Sequence, residues 1–592
     1  MLLDRIKEIC RKACVDVYEQ DAPEVAIDFP DKFGDLALNC FYLAKTYRKG
    51  PPMIAAALAP AILERGEGII HAAEAVSGYV NLTLSDQSLF EAAIKPALFP
   101  IEPDEAKSTA KVMVEFSSPN TNKPQHLGHV RNNCLGDSIS RILAATGSNI
   151  VRANLINDRG IHICKSMLAY QKEGEGKTPQ SEGIKGDHFV GQFYVLFEKR
   201  FKAEFDAYRE QDPGNAEVSK DDFFKLSRWG NEAQQLLQLW ENGDEETIQL
   251  WKTMNAWVID GFHQTYADLG ISFDNIYLES ETYKHGKDIV ERGLEKGVFY
   301  RRDDGAVEID LSADKLDKKV VLRSDGTSVY ITQDIGTTVK KFEGEGLSRQ
   351  VWVVGDEQIY HFKVLFKVLE KLGYEWAKDC YHLAYGMVNL PDGKMKSREG
   401  KVVDADDLIS EVTELAAKEI RNRAEGIDDA VVIDRARKIG LAALKFMILS
   451  VAPQTTMTYD PKESVAFDGD TGPYVLYAFA RIRRMIEDSG LDESKLEFDA
   501  TLLGDATERK LALRLLQFAP ILERAARDMA PSQICTYLLQ LARSYHSHNR
   551  QVPILKADDA KVREARLALS RATAARLQQG LKLLGIETVN RM

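Results

Sequence analysis

The sequence has no run of about 20 uninterrupted apolar residues, the length that a helix needs to cross a lipid bilayer, so we expect no membrane span. The start, Met1–Glu8, mixes charged with apolar side chains, unlike a secretory signal. Cysteine is also scarce: the seven cysteines are scattered and form no CxxC pair. An odd number without metal-ligand spacing favours reduced thiols in a cytoplasmic protein over disulfides or structural zinc.

A surplus of positive charge is lacking as well, because 77 lysines and arginines face 90 aspartates and glutamates, for a formal net charge of −13. This balance argues against indiscriminate nucleic-acid binding. It leaves room for a local basic surface, because counter-ion release depends on the contact face alone. No internal repeat or low-complexity tract is evident. With 592 residues, 44% of them hydrophobic and 28% charged, the composition is typical of a soluble globular protein with several domains.

The strongest chemical signal is a strand-to-helix junction in the first third of the chain. Val112–Phe116 is rich in β-branched and aromatic side chains and predicts a buried strand, and Val130–Ala145 has the apolar spacing of a helix. Two imidazoles and a glycine lie between them, at His126, Gly128 and His129. Open α/β sheets bind ligands at such junctions, where the free N–H groups of the helix start suit phosphate. We therefore expect a phosphate-bearing ligand there.

The two histidines are three residues apart, so at a helix start they can share a face. Paired imidazoles can donate hydrogen bonds to a phosphate that gains charge in a transition state. A structural pair at the helix start and part of a metal site are the alternatives. No further ligands with metal-binding spacing are visible in the sequence.

A second cluster, Gly386–Lys401, follows a predicted strand, is bracketed by glycines and is rich in cations. Such a loop can close Lys394, Lys396 or Arg398 over a triphosphate and draw charge from a leaving pyrophosphate. Alone it would be an ordinary exposed turn, but together with the two histidines it favours the phosphate interpretation.

Residues 1–108 predict a small α/β domain with an accessory or docking role. Its patterns predict an N-terminal helix, a helical run from Gly34-Asp35 to about Tyr47, a helix from Pro51, and strands at Ile69-Ile70 and Tyr79–Leu84.

Residues 109–405 alternate strand-like with helical runs, which predicts a parallel sheet. The predicted strands are Lys111–Phe116, Ile150–Ile156, Val320–Leu322, Ser328–Thr332, Val351–Val354 and His382–Tyr385. A helical insertion is expected at about 165–262, with a core of Phe189, Phe193, Phe197, Phe201 and Phe205. Gly174–Thr178 ends like a phosphate-binding loop but lacks the leading glycine and a preceding strand, so it predicts a solvated loop.

Beyond residue 405 the strand signals fade, and we expect connecting helices in 406–465 and an all-helical domain in 466–592. The predicted helices are Asp407–Ala424, Ile433–Ser450, Pro473–Asp488, Thr507–Met529, Ser532–His546 and Ala560–Leu584. Their basic residues form either solvated faces or a nucleic-acid surface, and the spacing leaves both interpretations open.

These motifs resemble those of a known family. HLGH at His126–His129 resembles the HIGH motif of class I aminoacyl-tRNA synthetases, and KMKSR at Lys394–Arg398 resembles their KMSKS loop. The longer string Glu115–His129 is similar to the arginyl-tRNA synthetase form. Further segments similar to that family lie along almost the whole chain: Gly34–Ala37, Gly78–Asn81, Phe467–Tyr474 and Leu584–Ile586.

The resemblance implies a multidomain fold with an α/β Rossmann-like catalytic core, a small α/β N-terminal domain that contacts tRNA, and an all-α C-terminal anticodon-binding domain. It implies an ATP-dependent ligase that uses Mg²⁺, converts L-arginine to arginyl-adenylate and transfers arginine to the 3′-terminal adenosine of tRNA(Arg). AMP and diphosphate are released. Such enzymes often need bound tRNA before they activate arginine. A cytoplasmic monomer with no membrane partner is expected.

The resemblance also assigns site residues by their places in the motifs. The implied catalytic residues are His126, His129, Lys123 and Lys394, and the implied ATP-binding residues are Asn122, Gly128, Gly355, Met387, Val388, Met395, Lys396 and Arg398. The implied arginine-binding residues are Asn120, Glu279, Tyr330, Asp334 and Gln358. Two carboxylates suit a guanidinium, whose donors form a planar fork.

Two departures from the family pattern stand out. Ser397 occupies the position of the second lysine of KMSKS. For members without that lysine, the resemblance implies that a lysine just upstream of HxGH takes its place, which is Lys123 here. In the helical domain, Asp470, Leu476 and Phe479 replace residues that many relatives carry, so the anticodon contacts stay open.

Three other functions fit part of the pattern. A class I synthetase for a neutral or acidic amino acid would not want both Glu279 and Asp334. A nucleotidyltransferase with an HxGH motif would not need the long helical domain. A non-catalytic tRNA-binding relative would not need His126 and His129 to be intact.

Overall fold

The computed structural model describes residues 2–20, 25–30, 32–99, 110–283, 285–391, 403–423, 426–492 and 498–592. Throughout those ranges, every helix is too short or too polar to span a membrane.

The N-terminal part is an antiparallel sheet flanked by helices. Its strands are β1 (Ile27–Asp28), β2 (Leu36–Asn39), β3 (Ile70–Val76) and β4 (Tyr79–Leu84), and its helices are α1 (Leu2–Tyr18), α2 (Ala44–Tyr47), α3 (Pro51–Arg65) and α4 (Asp86–Ala97). The strand order is β1-β2-β4-β3. The predicted first helix, the helix from Pro51 and the two predicted strands are confirmed.

The predicted helical run from Gly34-Asp35 to Tyr47 is wrong in its first half. Leu36–Asn39 is strand β2, which pairs antiparallel with β1 on one side and β4 on the other. The helix begins only at Ala44. Leucine and alanine favour helix by intrinsic propensity, but backbone pairing on both sides and burial of Leu36 and Leu38 outweigh it.

The central sheet has five parallel strands. They are β5 (Lys111–Glu115), β6 (Asn149–Ile156), β7 (Asn275–Leu278), β11 (Arg349–Gly355) and β12 (Tyr381–Tyr385). The order is β12-β11-β5-β6-β7, so the chain moves outward on one side of β5 and later returns to the other side. This reversal opens a crevice at the carboxyl ends of β5 and β11, where open α/β sheets bind ligands. The parallel sheet is confirmed, although the short edge strand β7 was not predicted.

Helices cover both faces of this sheet. Val112 and Val114 on β5 pack in one buried cluster with α5 (Leu127–Ala145). Met113 points to the other face and packs with α14 (Tyr330–Glu345) and α15 (Ile359–Lys371). Because side chains alternate along a strand, neighbouring residues of β5 enter opposite layers, and a parallel sheet needs both layers covered.

Two further strand predictions differ from the structure. Val320–Leu322 lies in strand β10 (Lys319–Leu322), but this strand belongs to a separate antiparallel sheet with β8 (Tyr300–Arg301) and β9 (Val307–Ile309). Ser328–Thr332 is not a strand, because α14 begins at Tyr330. The hydroxyl of Thr332 bonds the backbone N–H of Val329, which closes the helix start.

The predicted helical character of the interval after β6 is confirmed. Its helices are α6 (Ile161–Glu173), α7 (Pro179–Glu182), α8 (Gly186–Gln211), α9 (Lys220–Leu226), α10 (Arg228–Glu241) and α11 (Glu245–Asp268). The predicted phenylalanine stripe on α8 is buried, as expected of a core. Gly174–Thr178 forms the mostly exposed loop between α6 and α7.

The remaining elements are mainly helical. They are α12 (Glu279–Thr282), α13 (Lys287–Glu295), β13 (Val388–Asn389), α16 (Ala405–Arg423), α17 (Asp429–Ser450), β14 (Met457–Thr458), α18 (Pro461–Ser464), α19 (Gly472–Ser489), α20 (Ala506–Leu516), α21 (Phe518–Arg527), α22 (Ser532–Gln551) and α23 (Ala560–Leu583). The predicted helix Thr507–Met529 is two helices that meet at Gln517. The α/β core with a helix-rich C-terminal part confirms the predicted fold class.

The close approach of α5 to β5 gives a stability prediction. A Cβ added at Gly136 would overlap the side chain of Phe116, whereas one added at the exposed Gly344 near the end of α14 would meet nothing within 4 Å. Overpacking of a buried contact costs about 1–3 kcal/mol. We therefore expect Gly136→Ala to lower the melting temperature measured by calorimetry, and Gly344→Ala, the matched control, to leave it unchanged or raise it slightly. Equal melting temperatures for the two variants would contradict this view of the α5–β5 contact.

Candidate active site

The HLGH segment forms the first turn of α5 at the carboxyl end of β5. His126 is the N-cap residue, and its Nδ1 accepts a hydrogen bond from the backbone N–H of Gly128 at 3.1 Å. His129 Nδ1 accepts from the backbone N–H of His126, also at 3.1 Å. A neutral imidazole carries one proton, so with each Nδ1 acting as acceptor the proton lies on Nε2. Both rings therefore offer an Nε2–H donor.

Gly128 leaves room for this arrangement. A Cβ at Gly128 would lie 3.0 Å from His126 Cε1, tighter than ordinary van der Waals contact. The two imidazole centroids are 4.0 Å apart. A larger residue between the histidines would push the first ring away from its capping position, so the glycine has a steric reason besides backbone freedom.

Electrostatics keep both rings neutral. Burial, followed by the nearby Lys123, lowers the pKa of His126 to about 4. Burial, His126 and Lys123 hold the pKa of His129 well below its usual value. Burial also lowers the pKa of Lys123. The site thus combines two uncharged donors with a lysine beside them, which suits an anionic oxygen better than a proton-transfer role.

The stretch between β5 and HLGH is held by buried polar side chains. Ser117 and Ser118 have φ values of +75° and +45°, a conformation that costs about 1–3 kcal/mol per residue. Asn132 Oδ1 accepts from Ser117 N–H at 2.6 Å, and Asn154 Oδ1 accepts from Ser118 N–H at 3.1 Å. These bonds offset the strain and turn the chain so that Asn120 emerges exposed, in a parallel bridge with Asn157.

Arg131 ties α5 to a distant part of the chain. Its guanidinium is fully buried and donates to the carbonyl oxygens of Gly386 at 2.9 Å, Met387 at 3.1 Å, Pro453 at 3.0 Å and Thr455 at 2.8 Å. The predicted ATP-binding residues Met387 and Val388 are thereby fixed beside α5. Sequence reasoning missed Arg131. The sequence feature that could have indicated it is a charged residue on the predicted helix just after HLGH.

A second distant segment pairs with HLGH directly. The backbone N–H of Ala405 donates to Gln125 O at 2.8 Å, and Leu127 N–H donates to Val403 O at 3.3 Å. Met387 and Val403 therefore both lie at the start of α5. The residues between them that the sequence implicated, Lys394, Met395, Lys396 and Arg398, lie outside the described residues.

An ionic cluster anchors this second segment to α8. Lys185 Nζ and His188 Nε2 lie 2.5 Å and 2.8 Å from Asp406 Oδ2. Burial alone would raise the pKa of Asp406, but the bonds from His188 and Lys185 lower it to about 2. In the described part of the chain, Asp187, His188 and Asp406 are the one group of side chains clustered closely enough to hold a metal. Because the ammonium of Lys185 already neutralises Asp406, this group does not fit a resident Mg²⁺.

The two predicted acids lie on helices that contact each other, α12 and α14. Glu279 follows β7 and begins α12, and Asp334 lies one turn into α14. Burial raises the pKa of Glu279, Arg159 lowers it, and the charges of Asp158 and Asp334 raise it further. Asp334 Oδ2 also lies 2.5 Å from His361 Nε2. The chain thus brings two carboxylates from separate elements within electrostatic reach of each other.

Asp158 positions the first of these acids. It is buried and accepts hydrogen bonds from Ser280 N–H at 2.8 Å and from Ser280 Oγ at 2.6 Å. These bonds hold the start of α12, where Glu279 lies. Sequence reasoning missed Asp158, because its partner is more than a hundred residues away.

The other predicted residues are placed as follows. Gly355 ends β11, and Gln358 is exposed immediately after it. Tyr330 is 80% exposed at the first position of α14. Asn122 is buried, and its Oδ1 has no hydrogen-bond partner among the described residues. Asn120, Gln358 and Glu279 all follow carboxyl ends of parallel strands and so share one edge of the sheet. In the described part of the chain, no hydrogen bond joins Tyr330 to either acid.

Comparison with known families gives a consistent result along the chain. Residues 101–460 match the family described as "tRNA synthetases class I (R), catalytic domain". Residues 475–592 match "DALR anticodon binding domain", and residues 2–84 match "Arginyl tRNA synthetase N terminal domain".

Individual relatives agree with these families. The arginine–tRNA ligase of Treponema denticola is 44% identical over 605 aligned positions, which cover 98% of this chain and 99% of the relative. That of Porphyromonas gingivalis is 45% identical over 94% of both chains. Among solved structures, the arginyl-tRNA synthetase of Thermus thermophilus aligns over the whole of both chains with a TM-score of 0.83 at 27% identity. The chain therefore belongs to the arginyl-tRNA synthetases, the class I enzymes that activate arginine with ATP and attach it to tRNA.

Proposed function

We propose that the crevice at the start of α5 is where this chain converts L-arginine and ATP to arginyl-adenylate and pyrophosphate, before arginine is transferred to tRNA(Arg). The observation that carries the proposal is the pair of neutral imidazoles, each with Nδ1 bonded to the backbone and with an Nε2–H that bonds no group among the described residues. Such donors, fixed before substrate arrives, stabilise charge that develops on phosphate oxygens without reorganising.

In the first step a carboxylate oxygen of arginine attacks the α-phosphorus of ATP, and the bond to the bridging oxygen of pyrophosphate breaks. His126 and His129 donate to the oxygens of the α-phosphate, and Lys123 and Lys394 draw charge from the departing pyrophosphate. The remaining ATP contacts are assigned to Asn122, Gly128, Gly355, Met387, Val388, Met395, Lys396 and Arg398. The protein mainly positions the reactants, which lowers the entropic part of the barrier.

The guanidinium of arginine is assigned to Glu279 and Asp334, with Tyr330 beside them. Two carboxylates can satisfy a planar fork of N–H donors, while a lysine ammonium would satisfy them poorly. Asn120 and Gln358 are assigned to the α-amino and α-carboxylate end. The proximity of the two acids, which come from α12 and α14, supports this division.

Transfer to tRNA follows. The 2′-hydroxyl of the terminal adenosine attacks the activated carbonyl carbon, and AMP leaves. We assign residues 1–108 to tRNA contact, 109–405 to catalysis with a helical insertion at about 165–262, 406–465 to connection and 466–592 to the anticodon. Arg509 supports a joint tRNA surface, because it joins α20 to the N-terminal part through Asp35 Oδ2 at 2.6 Å. A cytoplasmic monomer is proposed.

Mg²⁺ is proposed to enter with ATP. It prefers oxygen ligands and is commonly held by substrate phosphates with few protein groups. The buried Asn122 Oδ1 beside HLGH, which has no partner in the described ranges, is an oxygen of the required kind. When bound, the ion would supply charge neutralisation at the phosphates, and the histidines and lysines would act on the same oxygens from the protein side.

Amino-acid-dependent ATP–pyrophosphate exchange, with and without tRNA(Arg), tests the proposed function. Exchange is expected with arginine and in the presence of tRNA, because the family often requires tRNA for activation. Exchange with lysine or glutamine but not arginine would overturn the substrate assignment. Full exchange without tRNA would overturn only the tRNA requirement.

Replacement of the capping histidine tests the phosphate role. Asparagine can still accept from Gly128 N–H as an N-cap, so His126→Asn keeps the helix start but loses the Nε2–H donor. We expect kcat for adenylate formation to fall by about 10²–10³-fold with the melting temperature almost unchanged. An unchanged rate constant of adenylate formation in single-turnover measurements would show that His126 has no role in this step.

The lowered pKa of His126 gives a pH dependence of stability. The pKa of His126 is near 6.5 in the unfolded chain and about 4 in the folded chain. Between these two pH values, His126 is protonated in the unfolded chain and neutral in the folded chain. The contribution of His126 to the free energy of unfolding is therefore fully present above about pH 6.5 and is lost as the pH drops towards 4. The melting temperature of the wild type relative to His126→Asn should decline from about pH 7.5 to about pH 4.5. A constant difference would contradict the neutral, buried imidazole.

A further inference from the structure

The chain places a guanidinium of its own beside Glu279. Arg159 follows the buried Asp158, and its side chain is only 14% exposed. Its guanidinium carbon lies 4.1 Å from the centroid of the Tyr283 ring and 5.4 Å from that of Trp240. A cation over the faces of two aromatic rings is stabilised by their negative charge, so Arg159 is held in place, unlike a solvated surface arginine.

Two carboxylates face this guanidinium. Arg159 Nη2 lies 3.5 Å from Glu241 Oε1, and Nη1 lies 4.0 Å from Glu279 Oε1. Both distances exceed those of a bidentate arginine–carboxylate fork. Arg159 Nε has no hydrogen-bond partner among the described residues. Arg159 therefore neutralises part of the charge of Glu279 without occupying its oxygens fully.

The backbone joins the two groups through a single residue. Asp158 bonds Ser280 with its carboxylate and so fixes the start of α12 that carries Glu279. The carbonyl of Asp158 accepts from Trp251 Nε1 at 2.6 Å and Asn255 Nδ2 at 3.0 Å, both on α11. The backbone next to Arg159 and the start of α12 are thus held by contacts of the same buried residue, Asp158.

The negative charge around Glu279 explains why it needs a cationic neighbour such as Arg159. Glu279 lies within electrostatic reach of both Asp158 and Asp334, and a substrate guanidinium supplies one positive charge. Without a resident cation, both acids would repel the carboxylate of Glu279, which would turn outward or take up a proton. The guanidinium of Arg159, 4.0 Å from Glu279 Oε1, offsets part of this repulsion before substrate arrives.

We propose that Arg159 is a specificity-determining positioning residue that holds Glu279 from one side, so that its other face and Asp334 form a fork for one guanidinium. This inference rests on the proposed function, since it takes Glu279 as an acid that binds arginine. Arg159 acts through Glu279 and does not touch the substrate. The aromatic and acidic partners Trp240 and Glu241 lie on α10, so helices between β6 and β7 contribute to amino-acid selection.

A purely structural role makes a different prediction. If Arg159 served only to attach α10 to the core, its loss would lower stability and kcat in general. As a positioning residue, it should affect the KM for arginine selectively and leave the KM for ATP alone. The effect should also depend on the presence of the Glu279 carboxylate.

The test is a double-mutant cycle on the full chain with Arg159→Met, Glu279→Gln and the double variant. Steady-state aminoacylation gives KM for arginine and for ATP, and calorimetry gives the binding of arginine to the enzyme. Arg159→Lys tests whether charge alone suffices. Arg228→Met is the matched control, because Arg228 is 71% exposed at the start of α10 and pairs only with the surface residue Glu232 among described partners.

We expect Arg159→Met to raise the KM for arginine by about 10–100-fold, the range of a lost interaction with a charged group, with the KM for ATP unchanged. Arg159→Lys should fall between it and the wild type. In the Glu279→Gln background the same substitution should add little, because the acid that it positions is gone. The control variant should match the wild type.

Several outcomes would overturn the inference. These are an unchanged KM for arginine in Arg159→Met, equal effects in both backgrounds, or equal rises in the KM for arginine and ATP. If Arg159→Met fails to fold, Arg159→Lys decides by the same criteria. If Glu279→Gln itself leaves the KM for arginine unchanged, the proposed arginine site is overturned. If Glu279→Gln raises this KM but Arg159→Met does not, only the inference about Arg159 is overturned.

Discussion

The start of α5 is the constraint on which the rest of the site depends. A helix leaves its first backbone N–H groups without intrahelical partners. Here two imidazoles accept hydrogen bonds from the backbone, and by doing so they fix their own tautomers. The same contacts that complete the helix therefore leave two donors ready for an anion. One set of hydrogen bonds thus completes the helix start and orients the donors to which we assign the phosphate role.

Polar side chains on the next turn of α5 extend this constraint outward. Arg131 donates hydrogen bonds to backbone carbonyl oxygens of two distant loops. Asn132 donates to Val353 O at 2.7 Å and accepts from the backbone N–H of Ser117. Buried polar groups are costly unless they are paired, so each such bond specifies one arrangement of the segments around the crevice. The strained backbone at Ser117 persists because these partners leave it no alternative.

On the acidic side of the crevice, charged side chains rather than helix-capping hydrogen bonds set the geometry. Glu279 and Asp334 come from elements on opposite sides of the small antiparallel sheet in the sequence, and each has a resident basic neighbour, Arg159 and His361. A recognition site for a cation must hold like charges together before its ligand arrives. For the guanidinium site that we propose, Arg159 at 4.0 Å from Glu279 Oε1 offsets part of this repulsion without filling the ligand position.

The sequence by itself determined the local features: the strand-to-helix junction with HLGH, most strands of the parallel sheet and nearly all the C-terminal helices. Periodicity and turn chemistry act over a few residues, so a sequence window contains them. It failed at Leu36–Asn39 and Ser328–Thr332, where pairing with distant strands or a helix-start bond outweighed propensity. Only the tertiary structure revealed Arg131, Asp158 and Arg159, because the groups that they bind lie up to hundreds of residues away, and burial and charge are properties of the folded chain.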